Sequence, residues 1–279
     1  MVFLKKGLTM HLRIISDTHN EFRNVPLILP KMDNEKEQIL VIAGDFITLK
    51  KISDYKDVLI SYSNRFKNVL YVLGNHEYYG FKLDLFRVHN LFESLKLPDN
   101  FHLLTRLSPK LIIDNIQFVG STLWTDFDRK SFIEYAVGQG MNDFKKITYV
   151  ENKYGSTHYS KFKTRNWFAE FVKDFEFIKT SVSESTALKT VVITHHAPSL
   201  KSVDTRYQQD KDMNHAYCSN LEDYLSSEHN IKIWIHGHIH QPKDYMVGNV
   251  RVLSYPYGYK GEFGADETQI EKLKFVIEI

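Results

Sequence analysis

Short apolar runs that end in polar, histidine-bearing turns recur along the chain and predict buried strands. They lie at 11–16 (HLRIIS), 38–43 (QILVIA), 68–73 (NVLYVL), 189–194 (KTVVIT) and 231–236 (IKIWIH). Runs of this length between turn residues are typical of strands inside a sheet that is covered by other layers. The chain therefore predicts a sheet protein whose strands each lead directly into a polar loop.

Apolar residues at helical spacing separate several of these strands. They predict helices at 52–66, 81–96 and 220–228, and a largely helical region at 126–186. Within that region an aromatic stripe comprises Phe168, Phe171, Val172, Phe175 and Ile178. We interpret the stripe as core packing, since aromatic residues at helical spacing usually face a hydrophobic core.

Two hairpins and one final strand complete the predicted elements. The first hairpin spans 110–120 around Asp114-Asn115, and the second spans 244–254 around Gly248-Asn249. Residues 272–279 alternate apolar and polar positions, which predicts a half-exposed last strand. Strands that alternate with helices in this way indicate an α/β protein.

Composition and charge narrow the class of protein. The chain has 279 residues, 43% hydrophobic and 25% charged, which is ordinary for a soluble globular protein. A net charge of +2 gives no sign of nucleic-acid or membrane binding. The one cysteine, Cys218, excludes an internal disulfide and suits a reducing compartment, so we expect a cytoplasmic protein without membrane association.

A single domain is expected over residues 10–279. Met10 stands directly before the first predicted strand, so residues 1–9 are interpreted as an N-terminal extension. This start lacks the apolar segment and small-residue cleavage site of a signal peptide. No repeat or linker divides the remaining chain.

The polar motifs that follow the strands carry the candidate chemistry. They are DTH at 17–19, GD at 44–45, GNHE at 74–77, HH at 195–196 and HGHIH at 236–240. Ligand sites in sheets of buried strands gather at the carboxyl ends of those strands. We therefore expect these motifs to meet in space, although they span more than 200 positions.

Imidazole and carboxylate side chains dominate the motifs. The candidate set is Asp17, His19, Asp45, Asn75, His76, His195, His236 and His238. Such groups bind zinc, manganese and iron, and the absence of thiolates argues against a structural zinc site. Period-two alternation predicts that Asp17 and His19 share one side of the backbone, as do His236 and His238. One ion cannot use so many ligands, whereas two ions about 3.5–4 Å apart can.

The order and strand-end placement of these motifs resemble the calcineurin-like metallophosphoesterase family. The resemblance implies an α/β fold, a four-layer sandwich of two mixed β-sheets flanked by helices, with the site at one edge of the sheets. It also implies two divalent transition-metal ions, for which manganese, iron, zinc and nickel are the candidates. The motifs cover residues 17–238, most of the chain.

The resemblance further implies a role for each motif residue. The ligands of the first metal would be Asp17, His19 and His238, those of the second Asn75, His195 and His236, and Asp45 would bridge both. His76 would face the substrate as general acid or stabiliser of the phosphoryl oxygens, and Asn75 would also contact substrate. His196 is the alternative to His195.

Some positions depart from the family pattern or leave alternatives open. The second motif, GDFIT, lacks a further acidic residue, and Glu77 stands where Asp is common. Glu77 or another carboxylate is expected to hold the tautomer of His76. His240 could line the rim of the site or be structural. Residues 201–220 could form a solvated loop or a substrate-facing lid that uses Arg206 or Tyr217.

The predicted function is a metal-dependent phosphoesterase, either a phosphatase or a phosphodiesterase. It would cleave a phosphomonoester or phosphodiester of a small molecule or nucleotide by attack of a metal-bridging hydroxide. A nuclease of the same family is one alternative; it would need a basic groove, which the near-neutral charge disfavours. A non-catalytic scaffold with the same fold is another, although every ligand position is filled.

Overall fold

Two mixed β-sheets form the centre of the protein in the computed structural model, which describes residues 9–153, 155–259, 261–262 and 270–279. The first sheet has five strands in the order β14-β1-β2-β3-β5. Its strands are β1 (His11–Ile15), β2 (Gln38–Ala43), β3 (Asn68–Val72), β5 (Phe101–Leu104) and β14 (Val276–Glu278). Only β14 runs antiparallel to its neighbour.

The second sheet has six strands in the order β12-β13-β11-β10-β7-β6. Its strands are β6 (Leu111–Ile113), β7 (Ile116–Ser121), β10 (Lys189–Thr194), β11 (Ile231–His236), β12 (Lys243–Val247) and β13 (Val250–Ser254). The four central strands are parallel, and each edge is an antiparallel hairpin. The five buried strands and both hairpins predicted from the sequence are confirmed.

One apolar core lies between the two sheets. Alternate residues of β2, namely Ile39, Val41 and Ala43, pack there with residues of β10 and β11 such as Ile193 and Ile235. The intervening β2 residues belong to a second apolar cluster that includes the helices. Both faces of each central strand are therefore covered, which explains their near-continuous apolar sequences. The predicted sandwich of two mixed sheets flanked by helices is confirmed.

Six α-helices accompany the sheets in the described residues. They are α1 (Lys56–Arg65), α2 (Leu85–Leu95), α3 (Ser131–Gly140), α4 (Asp143–Lys146), α5 (Thr164–Ser183) and α6 (Glu222–Ser226). A 3-10 segment at Leu49–Tyr55 precedes α1, so the predicted helix at 52–66 begins as a tighter turn. None of the described helices is long and apolar enough to cross a membrane.

The aromatic stripe on α5 contacts the core at most, but not all, of its predicted positions. Phe171 and Ile178 are buried, while Phe168 and Phe175 are half-buried against the same cluster. The prediction is wrong for Val172, which is 41% exposed. The buried face of α5 is narrower than its apolar stripe, because the neighbouring layer covers only one side of the helix.

Residues 126–186 are less helical than predicted. They contain a hairpin of β8 (Thr148–Lys153) and β9 (Ser156–Lys161), and β8 pairs with the short strand β4 (Lys82–Leu83). All of β9 is exposed, so its sequence, STHYSK, carries no apolar alternation that could reveal a strand. Backbone pairing with a distant segment decides the conformation here, not local hydrophobic pattern.

Two smaller predictions concern the chain ends. The last strand is shorter than predicted, because residues Glu271–Lys274 form a 3-10 turn before β14. The proposed N-terminal extension at 1–9 lies outside the described residues except for its last position.

Candidate metal centre

The motifs after the parallel strands converge at the carboxyl-terminal edge of both sheets. Asp17 follows β1, Asp45 follows β2, and Asn75 follows β3, so neighbouring strands of the first sheet present them side by side. From the second sheet, His195 and His238 follow β10 and β11. This shared edge is where the sequence predicted the site, and parallel pairing is the physical reason.

A direct hydrogen bond joins the two sheets at this edge. The backbone N–H of His238 donates to both carboxylate oxygens of Asp17, at 2.9 and 3.1 Å. Gly237 lies so close to the first sheet that a Cβ there would be 2.7 Å from both the Ala43 carbonyl oxygen and Asp17 Oδ2. The glycine before His238 is therefore required for the two strand ends to approach.

Left-handed backbone geometry aims the side chains into the centre. The φ angles are 53° at Asp17, 44° at His19, 52° at Asp45, 68° at His238 and 57° at His240. Such angles are unfavourable for residues with a Cβ, and they concentrate at functional sites where surrounding contacts hold them. Five of the thirteen non-glycine residues with positive φ in the described chain lie at this edge, which makes it a candidate functional site.

Three side chains form the first group of potential metal ligands. One ligand atom each from Asp17, His19 and His240 lies within 4.8 Å of the other two. His19 Nε2 is 3.1 Å from His240 Nε2, and the latter is 3.5 Å from Asp17 Oδ1. Two imidazole nitrogens and one carboxylate oxygen thus face a common point.

Asp45, His195 and His238 form the second group within the same 4.8 Å limit. His195 Nε2 lies 3.4 Å from Asp45 Oδ1 and 3.0 Å from Asn75 Oδ1. His238 Nε2 is buried and has no hydrogen-bond partner among the described residues. A buried ring nitrogen without a partner is costly, and a cation at this point would satisfy it. The residues present therefore fit a metal ion.

Asp45 lies between the two groups. Its Oδ1 faces His195, while its Oδ2 is 3.7 Å from His19 Nε2. Burial disfavours the charged carboxylate, yet the neighbouring His195 and His76 hold the pKa of Asp45 well below its usual range. One ionised carboxylate thus reaches toward both groups.

His236 lies apart from these groups, and the structure corrects its expected pairing with His238. His236 Nε2 is 2.8 Å from Ser202 Oγ, and Nδ1 is 2.9 Å from the Gly237 carbonyl oxygen. Burial lowers the pKa of His236 to about 4, so the ring is neutral at neutral pH. Strand β11 ends at His236, and period-two alternation does not extend through the turn that follows.

The two histidines of the turn also group differently from the expectation. The ring of His238 lies 4.9 Å from that of His195, in the second group, and not with Asp17 and His19. For His240 the sequence left open whether it lines the rim of the site or is structural. In the structure it is the third member of the first group. The sequence thus identified the histidine-rich turn but not which of its rings meets which strand end.

His195 and His196 are clearly distinguished by their surroundings. His195 faces Asp45 and Asn75, whereas His196 packs against Trp124 and Trp167 with ring centroids 5.3 and 5.4 Å apart. Burial lowers the pKa of His196 to about 3. The geometry thus favours His195 over its alternative.

His76 lies beside these two groups with its ring directed into the cleft. Together with His19 and Glu21 it forms a third group whose potential ligand atoms lie within 4.8 Å of one another. Its Nδ1 is 2.8 Å from Glu21 Oε1, and Tyr79 stacks on the ring at 4.2 Å. Burial opposes protonation, but the carboxylates of Asp45 and Glu21 raise the pKa of His76 above its ordinary value. The carboxylate that contacts the ring is therefore Glu21, which the sequence analysis did not single out.

Glu77 instead holds the backbone of two motifs together. Its Oε2 accepts from the N–H groups of Asp45 (2.9 Å) and Gly74 (2.8 Å). Its Oε1 accepts from the Phe46 N–H at 2.8 Å and from the Tyr71 hydroxyl at 2.6 Å. Of the two options, Glu77 or another carboxylate, Glu77 does not contact the His76 ring, because both of its oxygens serve other donors, and Glu21 is the carboxylate that does.

Glu77→Gln is expected to lower the free energy of unfolding by about 1–3 kcal/mol, because one amide oxygen cannot serve the donors on both sides and a buried N–H loses its acceptor. Urea unfolding measures the change. Glu176→Gln, at a residue whose side chain is 61% exposed, is the matched control and should stay within about 0.5 kcal/mol. Equal effects of the two substitutions would contradict the structural role of Glu77.

A cleft of about 400 Å³ opens over the centre. Asp45, Asn75 and His76 form part of its floor. Its walls carry rings, thioethers and acids, namely Tyr207, Tyr217, Met141, Met213, Asp204 and Asp210. The loop at 201–220 thus faces the cleft. This position agrees with the interpretation of a substrate-facing segment and not with that of a purely solvated loop. Within that loop Tyr217 lines the wall, while exposed Arg206 pairs with Asp204 at 3.2 Å.

Comparisons with known proteins identify a family and a common fold. A family model described as calcineurin-like phosphoesterase matches residues 10–242. An uncharacterized protein of Acanthamoeba polyphaga mimivirus is 23% identical over 206 residues, 71% of this chain and 70% of that protein. Among solved structures, phosphopantetheinyl hydrolase from Mycobacterium tuberculosis superposes with a TM-score of 0.67 at 15% identity, covering 98% of this chain and 96% of its own.

At that identity the solved structure shows a common fold and no more. The family match covers most of the chain and includes every motif from Asp17 to His240. Because the match covers well over half of the sequence, the chain belongs to the calcineurin-like phosphoesterase family.

Proposed function

We propose that the protein hydrolyses phosphate esters at a centre of two divalent metal ions. The main observation behind this proposal is the pair of adjoining ligand groups with Asp45 between them. They lie at the floor of a cleft, beside His76. Family membership supports a metal-dependent phosphoesterase.

In this proposal each ion has its own set of side chains. Asp17, His19 and His240 hold the first ion, Asn75, His195 and His238 hold the second, and Asp45 contacts both. Two bound divalent ions would neutralise the phosphoryl oxygens and lower the pKa of water from 15.7 to about 7, which supplies a hydroxide nucleophile. Oxygen and nitrogen ligands without thiolate suit manganese, iron, zinc or nickel.

The substrate in this proposal is a small phosphomonoester or phosphodiester, such as a nucleotide. A cleft of about 400 Å³ has the size of a small-molecule site. Tyr207 and Tyr217 offer rings on which a planar group could stack. Of the two acids on the wall, Asp204 is paired with Arg206. A long polyanion needs basic contacts, and no lysine or arginine lines this cleft among the described residues, which favours a small ester over nucleic acid.

The proposal is tested by activity and metal content measured together. Purified protein with added manganese is expected to hydrolyse p-nitrophenyl phosphate, its bis-ester or a nucleoside monophosphate. Elemental analysis should give two ions per chain, and chelation should remove the activity. Protein that binds no transition metal and leaves every ester intact would overturn the proposal and favour a non-catalytic role.

Three histidine variants test the ligand assignment within the same experiment. His238→Gln and His240→Gln are each expected to lose about one metal equivalent. His236→Gln is the matched control, because its side chain contacts Ser202 and should leave both metals bound. Metal loss from a folded His236→Gln variant, with none from His240→Gln, would contradict this assignment. It would support His236 and His238 as the ligands, as strand alternation predicted.

A further inference from the structure

We propose that Glu21 is a positioning residue shared by His19 and His76, one carboxylate that orients both a metal ligand and the histidine facing the substrate. This inference rests on the proposed function. It assigns a role to a residue that lies outside the five sequence motifs.

The contacts of a single oxygen carry the inference. Glu21 Oε1 lies 2.8 Å from His76 Nδ1 and 3.3 Å from His19 Nδ1. The two rings meet edge to face, with centroids 4.4 Å apart. The Glu21 side chain is only 6% exposed, so water does not compete strongly for this oxygen. The carboxylate therefore holds two neighbouring imidazoles at once.

Local sequence explains why Glu21 can reach both rings. The segment Asn20–Phe22 forms a 3-10 turn directly after His19, which brings Glu21 back to the Nδ1 edge of the His19 ring. The other carboxylates close to His76 are engaged elsewhere. Asp45 Oδ1 accepts from the His76 backbone N–H, and Glu77 accepts from backbone groups of neighbouring motifs. Glu21 is the carboxylate within hydrogen-bonding distance of the His76 ring among the described residues.

The consequence is that Nδ1 carries a proton in both rings, and each Nδ1–H donates a hydrogen bond to Glu21. His19 then directs its Nε2 lone pair toward Asp45 and His240, as a metal ligand requires. His76 directs its Nε2 toward the cleft, where the Tyr259 hydroxyl lies 3.4 Å away. A proton fixed at Nδ1 thus leaves Nε2 of each ring available, in His19 for a metal ion and in His76 for the substrate.

In the proposed step, His76 acts as the general acid that protonates the leaving oxygen. His76 in its doubly protonated form gives the Nε2 proton to the ester oxygen as the bond from phosphorus to that oxygen breaks. It remains as a neutral imidazole whose Nδ1–H still donates to Glu21. Water supplies the oxygen that replaces the leaving group on phosphorus and releases one proton to solvent. Solvent returns one proton to His76 Nε2 before the next turnover.

Glu262 provides the matched control for Glu21. Its Oε2 lies 2.8 Å from His240 Nδ1, so it supports one ligand histidine of the same group without contacting His76. Glu21→Ala and Glu262→Ala should each weaken metal binding by about 10–100-fold, the usual effect of removing a carboxylate behind a ligand histidine. Isothermal titration with manganese measures this change.

Leaving-group dependence then separates the two variants. At saturating manganese, Glu21→Ala should lose more kcat on an alkyl phosphate than on p-nitrophenyl phosphate, because only the alkoxide needs a proton to depart. Glu262→Ala should lose the same factor on both esters. Glu21→Gln should recover much of the alkyl-ester rate, since its amide oxygen can still accept from Nδ1–H. Equal losses on both esters in Glu21→Ala would overturn the shared role.

Two further readouts do not depend on turnover. Nitrogen-15 NMR of histidine in the metal-free protein should show the neutral form of His76 protonated at Nδ1 in the wild type and as a mixture of tautomers in Glu21→Ala. Unchanged tautomers would contradict the inference, as would a lost metal equivalent in Glu21→Ala, which would make Glu21 a ligand. A wild type that shows the tautomer but neither binds metal nor hydrolyses any ester would refute the proposed function separately.

Discussion

Asp45→Asn is expected to remove nearly all phosphoesterase activity, by at least about 10³-fold, and to weaken metal binding. Its carboxylate lies 3.4 Å from His195 Nε2 and 3.7 Å from His19 Nε2, on opposite oxygens. Asparagine keeps the shape but replaces one charged oxygen with an NH₂ group that cannot bind a cation. The loss should therefore exceed the roughly 10²–10³-fold that follows removal of one transition-state hydrogen bond.

Turnover and elemental analysis on the same preparation test this result. Asp244→Asn is a suitable control, because Asp244 pairs with Arg251 on the outer hairpin of the second sheet and its side chain is 50% exposed. That variant should retain wild-type metal content and rate. Wild-type turnover in Asp45→Asn with both ions bound would refute the bridging position of this carboxylate.

His76→Ala is expected to slow turnover by roughly 10²–10⁴-fold while both metal ions stay bound, the range that general acid catalysis usually supplies. His76 Nδ1 contacts Glu21, and its Nε2 faces Tyr259 and the cleft. The ring shares a third group of potential ligand atoms with His19 and Glu21, but it does not belong to either group that contains Asp17 or Asp45. Its removal should therefore take away a proton donor and leave the ligands in place.

Measurement of kcat at saturating metal, with elemental analysis alongside, gives the answer. The exposed His158 on β9 allows a matched histidine-to-alanine control that should behave as wild type. A folded His76→Ala protein that retains one ion instead of two would show that His76 is a ligand and that the role of proton donor belongs elsewhere.

The central strands could be predicted from sequence because they are buried on both faces, whereas the sandwich of two sheets was implied by the resemblance to the family. Apolar runs such as 38–43 and 189–194 indicate such strands locally, and all five predicted strands occur in the structure. The exposed strand β9 gives no comparable signal, since its six residues all face solvent. Its partner β8 pairs in turn with Lys82–Leu83, and no local pattern encodes a pairing of such distant segments.

The candidate site shows the same division between local and distant information. Motif order located Asp17, Asp45, Asn75 and His195 at one edge, as parallel pairing of β1 to β3 and of β10 to β11 demands. The acid of DTHNE, two positions after His19, was a visible signal for Glu21. Only the fold shows that this carboxylate also reaches His76, which follows it by 55 positions.

The sequence alone determined which donor atoms are available and that strand ends bring them to one edge, because both follow from residue type and from hydrophobic pattern. The tertiary structure decided which ring meets which carboxylate. In the turn after β11, His238 and His240 have left-handed backbone angles of 68° and 57°, which end the alternation of the strand. Those angles are held by contacts such as the His238 N–H to Asp17, between residues 221 positions apart, and such contacts exist only once both sheets have packed.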